Sequence, residues 1–426
     1  MAAAIATNYP LSSPKIMTLT LLFDLDDTLL GNNTSTFLPE YTRGLAKRML
    51  PYVDPIAMVK NLHEATGLMM KNKRSDMTLE DVFDGAFYPA LEIKRSEVQA
   101  VIDQYYLLDF PKLQGLTQFL PQAEAVVLEA LRCGYQVAVA TNPLFPVTAT
   151  LQRLAWSGLP VERIPWRIVP NYSTFHFAKP RLEFYAELLG QIGWPEGPVV
   201  MVGNDLAADV QPARAFGLAT FLVNNQPFSL VEAHTPRHAQ GRLEDLLRWL
   251  DMTQPDALIP ELNSQRSLMA NLRAAPAALA SLTQSLPPEA WKAKPFAREW
   301  CLTEIICHLR DAEAEVNLPR LERVLSKDNP FITGMNTDVW AEERQYFSQD
   351  GPQALNEFQK QRQNFNNMLE EMTKENWSLP ARHAIFGPIN LQELVNINAS
   401  HDRLHLQTVY QLVQIQSDLS TQAGWT

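Results

Sequence analysis

Two aspartates at the end of a short apolar segment are the residues of this sequence best suited to chemistry. Residues 17–22 are apolar or β-branched, which predicts a buried parallel strand, and Asp24 and Asp26 follow it. Residues two apart on a strand share a face, so both carboxylates can address one reacting centre. A carboxylate nucleophile beside a carboxyl acid or base, with Mg²⁺ between protein and phosphate, makes a phosphoryl-transfer site. The alternative is a strand that ends in a turn with solvated acidic residues.

Two further polar residues lie where they could reach a phosphate. Residues 136–140 predict a second buried strand that ends in Thr141, whose hydroxyl can donate to a phosphoryl oxygen. Lys179 stands just before a helix-like run over residues 181–189, where an ammonium can neutralise phosphate charge and pair with the nucleophile. Each signal is weak by itself, because many such strands end in Thr-Asn and a lone lysine is more often a surface residue.

A third strand, predicted over residues 198–202, is followed by Asp205 and Asp209. These two carboxylates are four residues apart, one helical turn, and such oxygen ligands suit Mg²⁺. Three buried strands separated by helices predict an α/β doubly wound parallel sheet. All the polar residues then fall at the carboxyl ends of strands, which is the edge where ligands bind in such sheets.

A long helical insert follows the first strand. Apolar residues at three-to-four spacing predict four helices between residues 33 and 119, at residues 34–49, 56–70, 79–87 and 96–107. A helical insert at this place is typical of a lid domain, which excludes water and selects the substrate. The alternative is a helical bundle with a structural role alone.

Taken in order, these residues resemble the haloacid dehalogenase-like (HAD) hydrolase superfamily over residues 17–250: Asp24-x-Asp26-x-Thr28, Thr141, Lys179 and Gly203-Asn204-Asp205-x-x-x-Asp209. The resemblance implies that Asp24 is the nucleophile and becomes an aspartyl-phosphate. It implies that Asp26 is the general acid and base and offers its carbonyl to Mg²⁺. By the same resemblance Thr141 and Lys179 bind the phosphoryl group, and the insert is a helical C1-type cap.

The last motif leaves one choice open. The resemblance implies that Asp205 completes the Mg²⁺ site with Asp209 in support, but Asn204 stands where many relatives have aspartate. We prefer Asp205 on sequence grounds, because an amide would make a weaker Mg²⁺ site. Dehalogenating members lack the second carboxylate of the first motif, so Asp26 favours phosphate chemistry. We expect a phosphoric monoester hydrolase whose substrate is a small phosphorylated metabolite that no motif identifies.

The composition limits the class of protein. A chain of 426 residues is too long for one core, so two or more domains are expected. The net charge of −11 argues against nucleic acid or an anionic membrane as the main partner. No apolar run approaches the roughly 20 residues of a membrane span, and residues 1–16 lack the pattern of a secretory signal. Three cysteines, a sparse and odd count, predict reduced thiols and a cytoplasmic location.

The second half of the chain predicts an all-helical domain without strands. Amphipathic helices at residues 261–285, 302–326, 351–373 and 390–416 predict a four-helix bundle. Pro319 should break or kink the second of them. The predicted division is a tail over 1–16, a HAD-like domain over 17–250 with core segments 17–32 and 120–250 and a cap over about 33–119, a linker over 251–261, a bundle over 262–416 and a tail over 417–426.

Three histidines of this half have metal-ligand spacing. His401 and His405 are four residues apart on one helical face, and His308 lies at the edge of another apolar helix face. Three imidazoles from two facing helices can form an open metal site. The alternative is an ordinary pair of buried histidines and an unrelated third.

Residues 299–313 and 383–405 resemble the opening and closing segments of DinB-like bundles, and the resemblance covers about 262–416. It implies that the three histidines bind one divalent metal, often zinc or nickel. Some relatives use the metal to activate a low-molecular-weight thiol for transfer. We therefore expect a phosphatase fused to a metal-binding bundle. The alternatives are that the bundle is the main catalyst, as a thiol transferase or hydrolase, or is a non-catalytic dimerisation or sensing module in a homodimer.

Overall fold

The computed structural model describes residues 18–232, 235–295 and 299–423. The tail predicted over residues 1–16 lies outside this part of the chain. The described residues form two compact units, one of residues 18–188 and 195–261 and one of residues 189–194 and the described part of 262–423. None of the described helices is both long and apolar enough to cross a membrane.

The first unit contains a six-stranded sheet in the order β4-β1-β5-β6-β8-β7. Its strands and those of a separate two-stranded ribbon are β1 Thr20–Phe23, β2 Leu30–Asn32, β3 Thr117–Phe119, β4 Gln136–Val139, β5 Val199–Gly203, β6 Ala219–Val223, β7 Ser229–Glu232 and β8 Thr235–Gly241. β1 pairs in parallel with both β4 and β5, and only β7 is antiparallel to its neighbour. The predicted doubly wound parallel sheet is confirmed except for the antiparallel edge strand β7.

Nine α-helices of this unit surround the sheet or build the insert: α1 Thr34–Met49, α2 Pro55–Lys71, α3 Leu79–Ala90, α4 Arg95–Gln104, α5 Pro121–Arg132, α6 Val147–Trp156, α7 Leu182–Gln191, α8 Gln211–Phe216 and α9 Asp245–Met252. The insert after β1 is helical as predicted, and α1 to α4 form it. A π-helical segment, Tyr105–Asp109, and a 3-10 segment, Phe110–Leu116, complete it. The β2–β3 ribbon closes the insert at its base, because Leu30 pairs with Phe119.

Hydrogen bonds fasten the insert to the loop that precedes α7. The N–H of Leu79, at the start of α3, donates to the carbonyl of Phe175 at 2.7 Å. The N–H of Glu80 donates to the carbonyl of Tyr172 at 2.9 Å. The side chain of Asn72, which ends α2, donates to the carbonyl of His176 at 2.8 Å. The insert and the core loop are therefore joined directly along this side.

The second unit is a helical bundle with a small sheet. Its elements are α10 Gln265–Thr283, α11 Leu302–Ala312, α12 Leu318–Ser326, β9 Phe331–Ile332, α13 Trp340–Glu343, α14 Gly351–Glu370, β10 Pro380–His383, β11 Gly387–Asn390 and α15 Leu391–Ala423. The four predicted helices are confirmed, although α15 extends beyond residue 416. The expectation that strands are absent is wrong, because β9, β10 and β11 form a three-stranded sheet. These strands have two to four residues each, too few for an alternating pattern.

The second predicted helix is interrupted near Pro319. The segment Glu313–Asn317 is π-helical, and the N–H of Leu318 donates to the carbonyl of Glu313, five residues earlier. Pro319 has no N–H to donate, so it occupies the first turn of the new helix α12, where no such bond is needed. Glu313, the first residue of the π-helical segment, is fully buried.

Candidate active site and candidate metal centre

Asp24 and Asp26 lie at the carboxyl end of β1 in the middle of the sheet. The N–H of Asp24 donates to the carbonyl of Val202 on β5 at 2.9 Å, so the strand pairing reaches the first aspartate. The Asp24 side chain is 11% exposed and that of Asp26 is 25% exposed. The chain turns sharply after them, and Asp27 takes a positive φ of 57°. Two carboxylates therefore share one edge of the sheet, and the second is the more accessible.

The Lys179 ammonium joins carboxylates from two strand ends. Its Nζ is 2.8 Å from an Oδ1 of Asp24 and 2.6 Å from an Oδ1 of Asp209, and the side chain is 2% exposed. Burial by itself lowers the pKa of Lys179, but the two carboxylates outweigh burial and raise it above its ordinary value. Lys179 is therefore a fixed positive charge beside Asp24.

A buried glutamate fixes the loop that carries Lys179. Glu187 on α7 is fully buried, and its carboxylate accepts the N–H groups of His176 and Phe177 at 3.0–3.1 Å. The Nδ1 of His176 lies 2.7 Å from the same carboxylate. The N–H of Lys179 donates to the side-chain oxygen of Asn142 at 3.1 Å. A glutamate on the buried face of a helix is a sequence signal that could have revealed this support.

The carboxylates at this edge concentrate negative charge that a cation can neutralise. Burial raises the pKa of Asp24 to about 7; Lys179 opposes the shift, and Asp209 and Asp26 add to it. The groups that meet here are carboxylate, amide and backbone carbonyl oxygens, which are the donors that hard cations prefer. This donor set fits Mg²⁺.

Asn204 and Asp205, in the acidic turn after β5, make different contacts. The side-chain oxygen of Asn204 accepts from the Thr28 hydroxyl at 3.2 Å, so Asn204 contacts the turn that carries Asp24 and Asp26. Asp205 is exposed, and its Oδ1 accepts the N–H groups of Ala207 and Ala208 at 2.7 and 3.0 Å. Asp205 thus caps the helical segment that follows it.

Asp209 reaches the site across the end of β5. Its Oδ2 accepts the N–H of Asp205 at 3.1 Å, while its Oδ1 holds Lys179. A Cβ added to Gly203 would lie 2.3 Å from the Oδ2 of Asp209. Glycine is therefore required at the end of the strand so that this carboxylate can pack against it.

Thr141 lies at the same edge, one strand away. The N–H of Ala140 donates to the carbonyl of Phe23 at 2.6 Å, so the backbone of β4 follows β1 to its last residue. Thr141 is the next residue, and it is buried with 3% exposure. The structure therefore brings Asp24, Asp26, Thr141, Lys179 and Asp209 together, and it places Asp205 at the rim.

Two residues that sequence reasoning missed hold Asp26. The Nη1 of Arg153 donates to Oδ2 of Asp26 at 2.6 Å, and Nδ2 of Asn32 donates to Oδ1 at 2.8 Å. Both side chains are almost completely buried, with 2% exposure each. The signal for Arg153 is that a charged residue stands on the buried face of α6, four residues after the buried Ala149.

The three predicted histidines of the bundle form one cluster, here called the histidine cluster: His308 on α11 with His401 and His405 on α15. The Nε2 atom of His401 is 3.0 Å from that of His308 and 3.1 Å from that of His405. Three ring nitrogens that converge so closely without a carboxylate among them have the arrangement of metal ligands. His383 lies elsewhere, and its Nδ1 accepts backbone N–H groups of its own turn.

The histidine cluster is held in the neutral form. Burial lowers the pKa of His308 to about 3 and that of His401 to about 4, and burial with the two neighbouring rings lowers the pKa of His405 well below its ordinary value. A neutral imidazole offers the lone pair that a metal needs. The Trp300 ring lies parallel to His405 at 6.4 Å and covers one side of the cluster.

A buried ion network lies next to His401. Arg362 on α14 is fully buried, and its guanidinium binds the carboxylates of Glu313 and Asp402. Asp402 follows His401 in α15, so the network ties the helix that carries His401 and His405 to two other segments of the bundle. Sequence reasoning missed this network, because its partners are 40 or more residues apart.

Two family models match separate parts of the chain. Residues 18–217 match the haloacid dehalogenase-like hydrolase model. Residues 271–409 match the DinB superfamily model. No curated protein matches the chain significantly.

Solved structures that resemble parts of the chain include proteins of both kinds. A 2-haloacid dehalogenase from Pseudomonas syringae pv. Tomato has a TM-score of 0.40 and 19% identity, covering 56% of this chain and 99% of its own. A HAD phosphatase from Thermococcus onnurineus has a TM-score of 0.34 and 20% identity, covering 55% and 98%. YfiT from Bacillus subtilis, described as a probable metal-dependent hydrolase with a four-helix bundle topology, has a TM-score of 0.34 and 16% identity, covering 37% and 90%.

Proposed function

Because residues 18–217 match the haloacid dehalogenase-like hydrolase family and residues 271–409 match the DinB superfamily, we propose a phosphatase fused to a metal-binding bundle. The first unit is a Mg²⁺-dependent hydrolase of small phosphate monoesters. The observation that carries this proposal is the pairing of Lys179 with Asp24 beside a second, more exposed carboxylate, Asp26. The pairing supplies a nucleophile, a positive charge for the phosphoryl group and a proton donor at one sheet edge.

The proposed reaction has two displacements at phosphorus. An Oδ of Asp24 attacks the phosphorus atom, the bond to the ester oxygen breaks, and Asp26 gives its proton to the departing oxygen. Asp26, now ionised, takes a proton from water as the water attacks the aspartyl-phosphate. The products are the alcohol, inorganic phosphate and the original Asp24 carboxylate. Lys179 and Thr141 bind the phosphoryl oxygens during both displacements.

Mg²⁺ would be held by Asp24, by the carbonyl of Asp26 and by one residue of the acidic turn. It would offset the negative charges of the phosphate and the nucleophile. We propose Asn204 for the third position because it contacts Thr28, whereas Asp205 caps a helix at the rim. This choice differs from the expectation based on sequence, in which the stronger charge of Asp205 decides. Asp209 supports the site through Lys179.

Replacement of the two catalytic aspartates tests the phosphatase. Asp24→Asn should abolish turnover of phosphate monoesters, because an amide cannot form the aspartyl-phosphate. Asp26→Asn should still bind phosphate but react about 10²–10⁴-fold more slowly. Phosphate release from a panel of sugar, nucleotide and small organic phosphates measures both. Near-normal turnover by Asp24→Asn would refute the assignment.

The histidine cluster supports a second site, a transition-metal centre in the bundle. Three imidazole ligands leave further positions for water or substrate, as in catalytic zinc sites. Imidazole also suits nickel, copper and iron, so the ligands do not select one metal. Transfer of a low-molecular-weight thiol at this centre stays a prediction, as do a sensing role and dimer formation through the bundle.

Metal content of the full-length protein tests the second site. His401→Ala and His405→Ala should each lose the metal, because two imidazoles bind far more weakly than three. His383→Ala is the matched control, since it removes a buried histidine outside the cluster and should retain the metal. Mass spectrometry of the purified proteins gives the stoichiometry. Equal metal in the wild type and the His401→Ala/His405→Ala double variant would leave these as ordinary core histidines.

A further inference from the structure

The guanidinium of Arg153 has more hydrogen-bonding capacity than its surroundings use. Its Nη1 donates to Asp26, but among the described residues its Nε and Nη2 have no partner, although both atoms are buried. A buried charged group with unmet donors is costly, so such groups are normally paired on all sides. One carboxylate oxygen is a small share of what this guanidinium can bind, because a planar fork of five N–H groups suits two anionic partners.

Two neighbours of Arg153 also have a polar atom that the protein does not use, since Asn32 shares Asp26 with Arg153 and Gln152 precedes Arg153 in α6. Asn32 and Gln152 each have a buried side-chain oxygen without a partner among the described residues. Gln152 donates to the carbonyl of Tyr106, whose hydroxyl lies 2.8 Å from that of Tyr41. Among these atoms, only the Nε and Nη2 of Arg153 are donors that could bind an anion.

The position of Arg153 relative to the reacting atoms is set by Asp26. In the proposed reaction Asp26 protonates the departing ester oxygen, so its carboxylate faces the leaving group. Arg153 binds that carboxylate directly. The unpartnered donors of Arg153 therefore belong to the guanidinium that binds the carboxylate facing the leaving group.

An aromatic ring lies against the guanidinium. The Arg153 carbon Cζ is 4.8 Å from the centroid of Phe145, on the loop that connects Thr141 to α6. Burial raises the pKa of Tyr41, in the insert, to about 12, and the charge of Arg153 opposes this rise. The guanidinium therefore acts electrostatically on a residue of the insert. An anion that reaches Arg153 past these rings loses its water, which strengthens its attraction to the positive charge.

From these contacts we propose that Arg153 is a substrate-specificity residue, and that the preferred substrates are phosphate monoesters whose leaving group carries a second anionic group. The Nε and Nη2 donors bind that group, a carboxylate or a second phosphate, within a few bonds of the ester oxygen. This inference rests on the proposed phosphatase. It adds a substrate class, since Lys179 and Thr141 recognise the phosphoryl group of any monoester alike.

Three small esters of similar size test the proposal with the full-length protein and Mg²⁺. Ethyl phosphate has a neutral leaving group, 2-phosphoglycolate replaces its methyl group by a carboxylate, and ethane-1,2-diol bisphosphate supplies a second phosphate. The wild type should hydrolyse at least one of the two anionic esters with a kcat/KM about 10- to 100-fold above that for ethyl phosphate. The anionic ester whose kcat/KM exceeds that of ethyl phosphate by the larger factor identifies the preferred anion.

Arg153 variants separate recognition from support of Asp26. Arg153→Gln should bring the ratio of kcat/KM values, anionic over neutral ester, close to one, even where both rates fall. Arg153→Lys should retain part of the ratio, because it keeps the charge and loses the planar fork. Asn32→Ala is the matched control: Asn32 also holds Asp26, but its free atom is an acceptor, so both rates should fall together and the ratio should persist.

The outcomes distinguish the inference from the function on which it rests. Hydrolysis of ethyl phosphate with no preference for either anionic ester, or a preference that survives in Arg153→Gln, would overturn the inference and leave the phosphatase standing. Absence of turnover for all three esters and for a generic aryl phosphate would refute both the inference and the proposed phosphatase. If Arg153→Gln does not fold, the wild-type ratio and the Arg153→Lys variant still decide.

Discussion

Removal of the Lys179 charge should cost the first unit a large part of its stability. In Lys179→Met the carboxylates of Asp24 and Asp209 lose a buried partner, and these three side chains are only 2% to 11% exposed. Breaking a buried ion pair by removing one partner costs about 3–5 kcal/mol. For a unit of this size each kcal/mol shifts the unfolding temperature by about 2–4 °C, so a fall of about 6–20 °C is expected without Mg²⁺.

The dependence of this loss on pH has a definite sign. The pKa of Asp24 is already about 7, above its unfolded value, so the folded state binds a proton that the unfolded state lacks between about pH 4 and 7. Without Lys179 this pKa should rise further. The deficit of the variant relative to the wild type should therefore grow as the pH rises above about 7 and change little below it.

Scanning calorimetry in EDTA is the assay, since the two units can unfold separately. Arg132→Met is the control, because it removes an exposed ion pair with Glu129 and should leave the unfolding temperature nearly unchanged. Adding Asp209→Asn to Lys179→Met should restore part of the loss. An unfolding temperature within about 2 °C of the wild type at pH 8, or a deficit that grows on acidification, would refute this account of the ion cluster.

Other consequences concern the metals, the acid range and the boundary between the units. Asn204→Ala should raise the Mg²⁺ concentration for half-maximal phosphatase activity more than Asp205→Ala does; the opposite order would favour Asp205 as ligand. As the pH falls from 6.5 to about 4, the free energy of unfolding of the metal-free bundle should decrease by up to about 1.4 kcal/mol per pH unit and per histidine, because the unfolded histidines bind protons that the folded cluster does not. A urea midpoint that does not change with pH would contradict this. Cleavage after Glu261 should give two folded pieces by circular dichroism, whereas cleavage before Leu258, which is buried, should destabilise the first.

The parts of the fold that sequence predicted are those with a strong local pattern. The helix predicted over residues 34–49 coincides with α1, whose apolar residues recur at helical spacing and whose start is capped by Asn33. The strands β1, β4 and β5 lie within one to three residues of their predicted bounds, because continuous apolar runs flanked by polar residues mark buried strands. Polar residues directly after these runs then had to meet at one sheet edge.

The parts that sequence did not predict depend on partners far along the chain. The pairing of Arg153 with Asp26 joins residues 127 positions apart, and no local pattern states which carboxylate a buried arginine meets. The ribbon of β2 and β3 and the sheet of β9 to β11 have strands of two to four residues, which only pairing stabilises. His401 and His405 on α15 and His308 on α11 were all predicted from sequence, and the packing of α11 against α15 brings them together.

The bonds from Leu79, Glu80 and Asn72 to the loop before Lys179 set the mechanics of the insert. A rigid-body opening that broke these hydrogen bonds would leave three carbonyl groups without donors. A rotation of the insert about this line of bonds keeps them intact and is therefore the less costly motion. The side of the insert that carries α1 and Tyr41 would then swing furthest, and that side adjoins Arg153. The amide hydrogens of Leu79 and Glu80 should accordingly exchange slowly with deuterium in both the open and the closed insert, which would place them on the axis of the rotation.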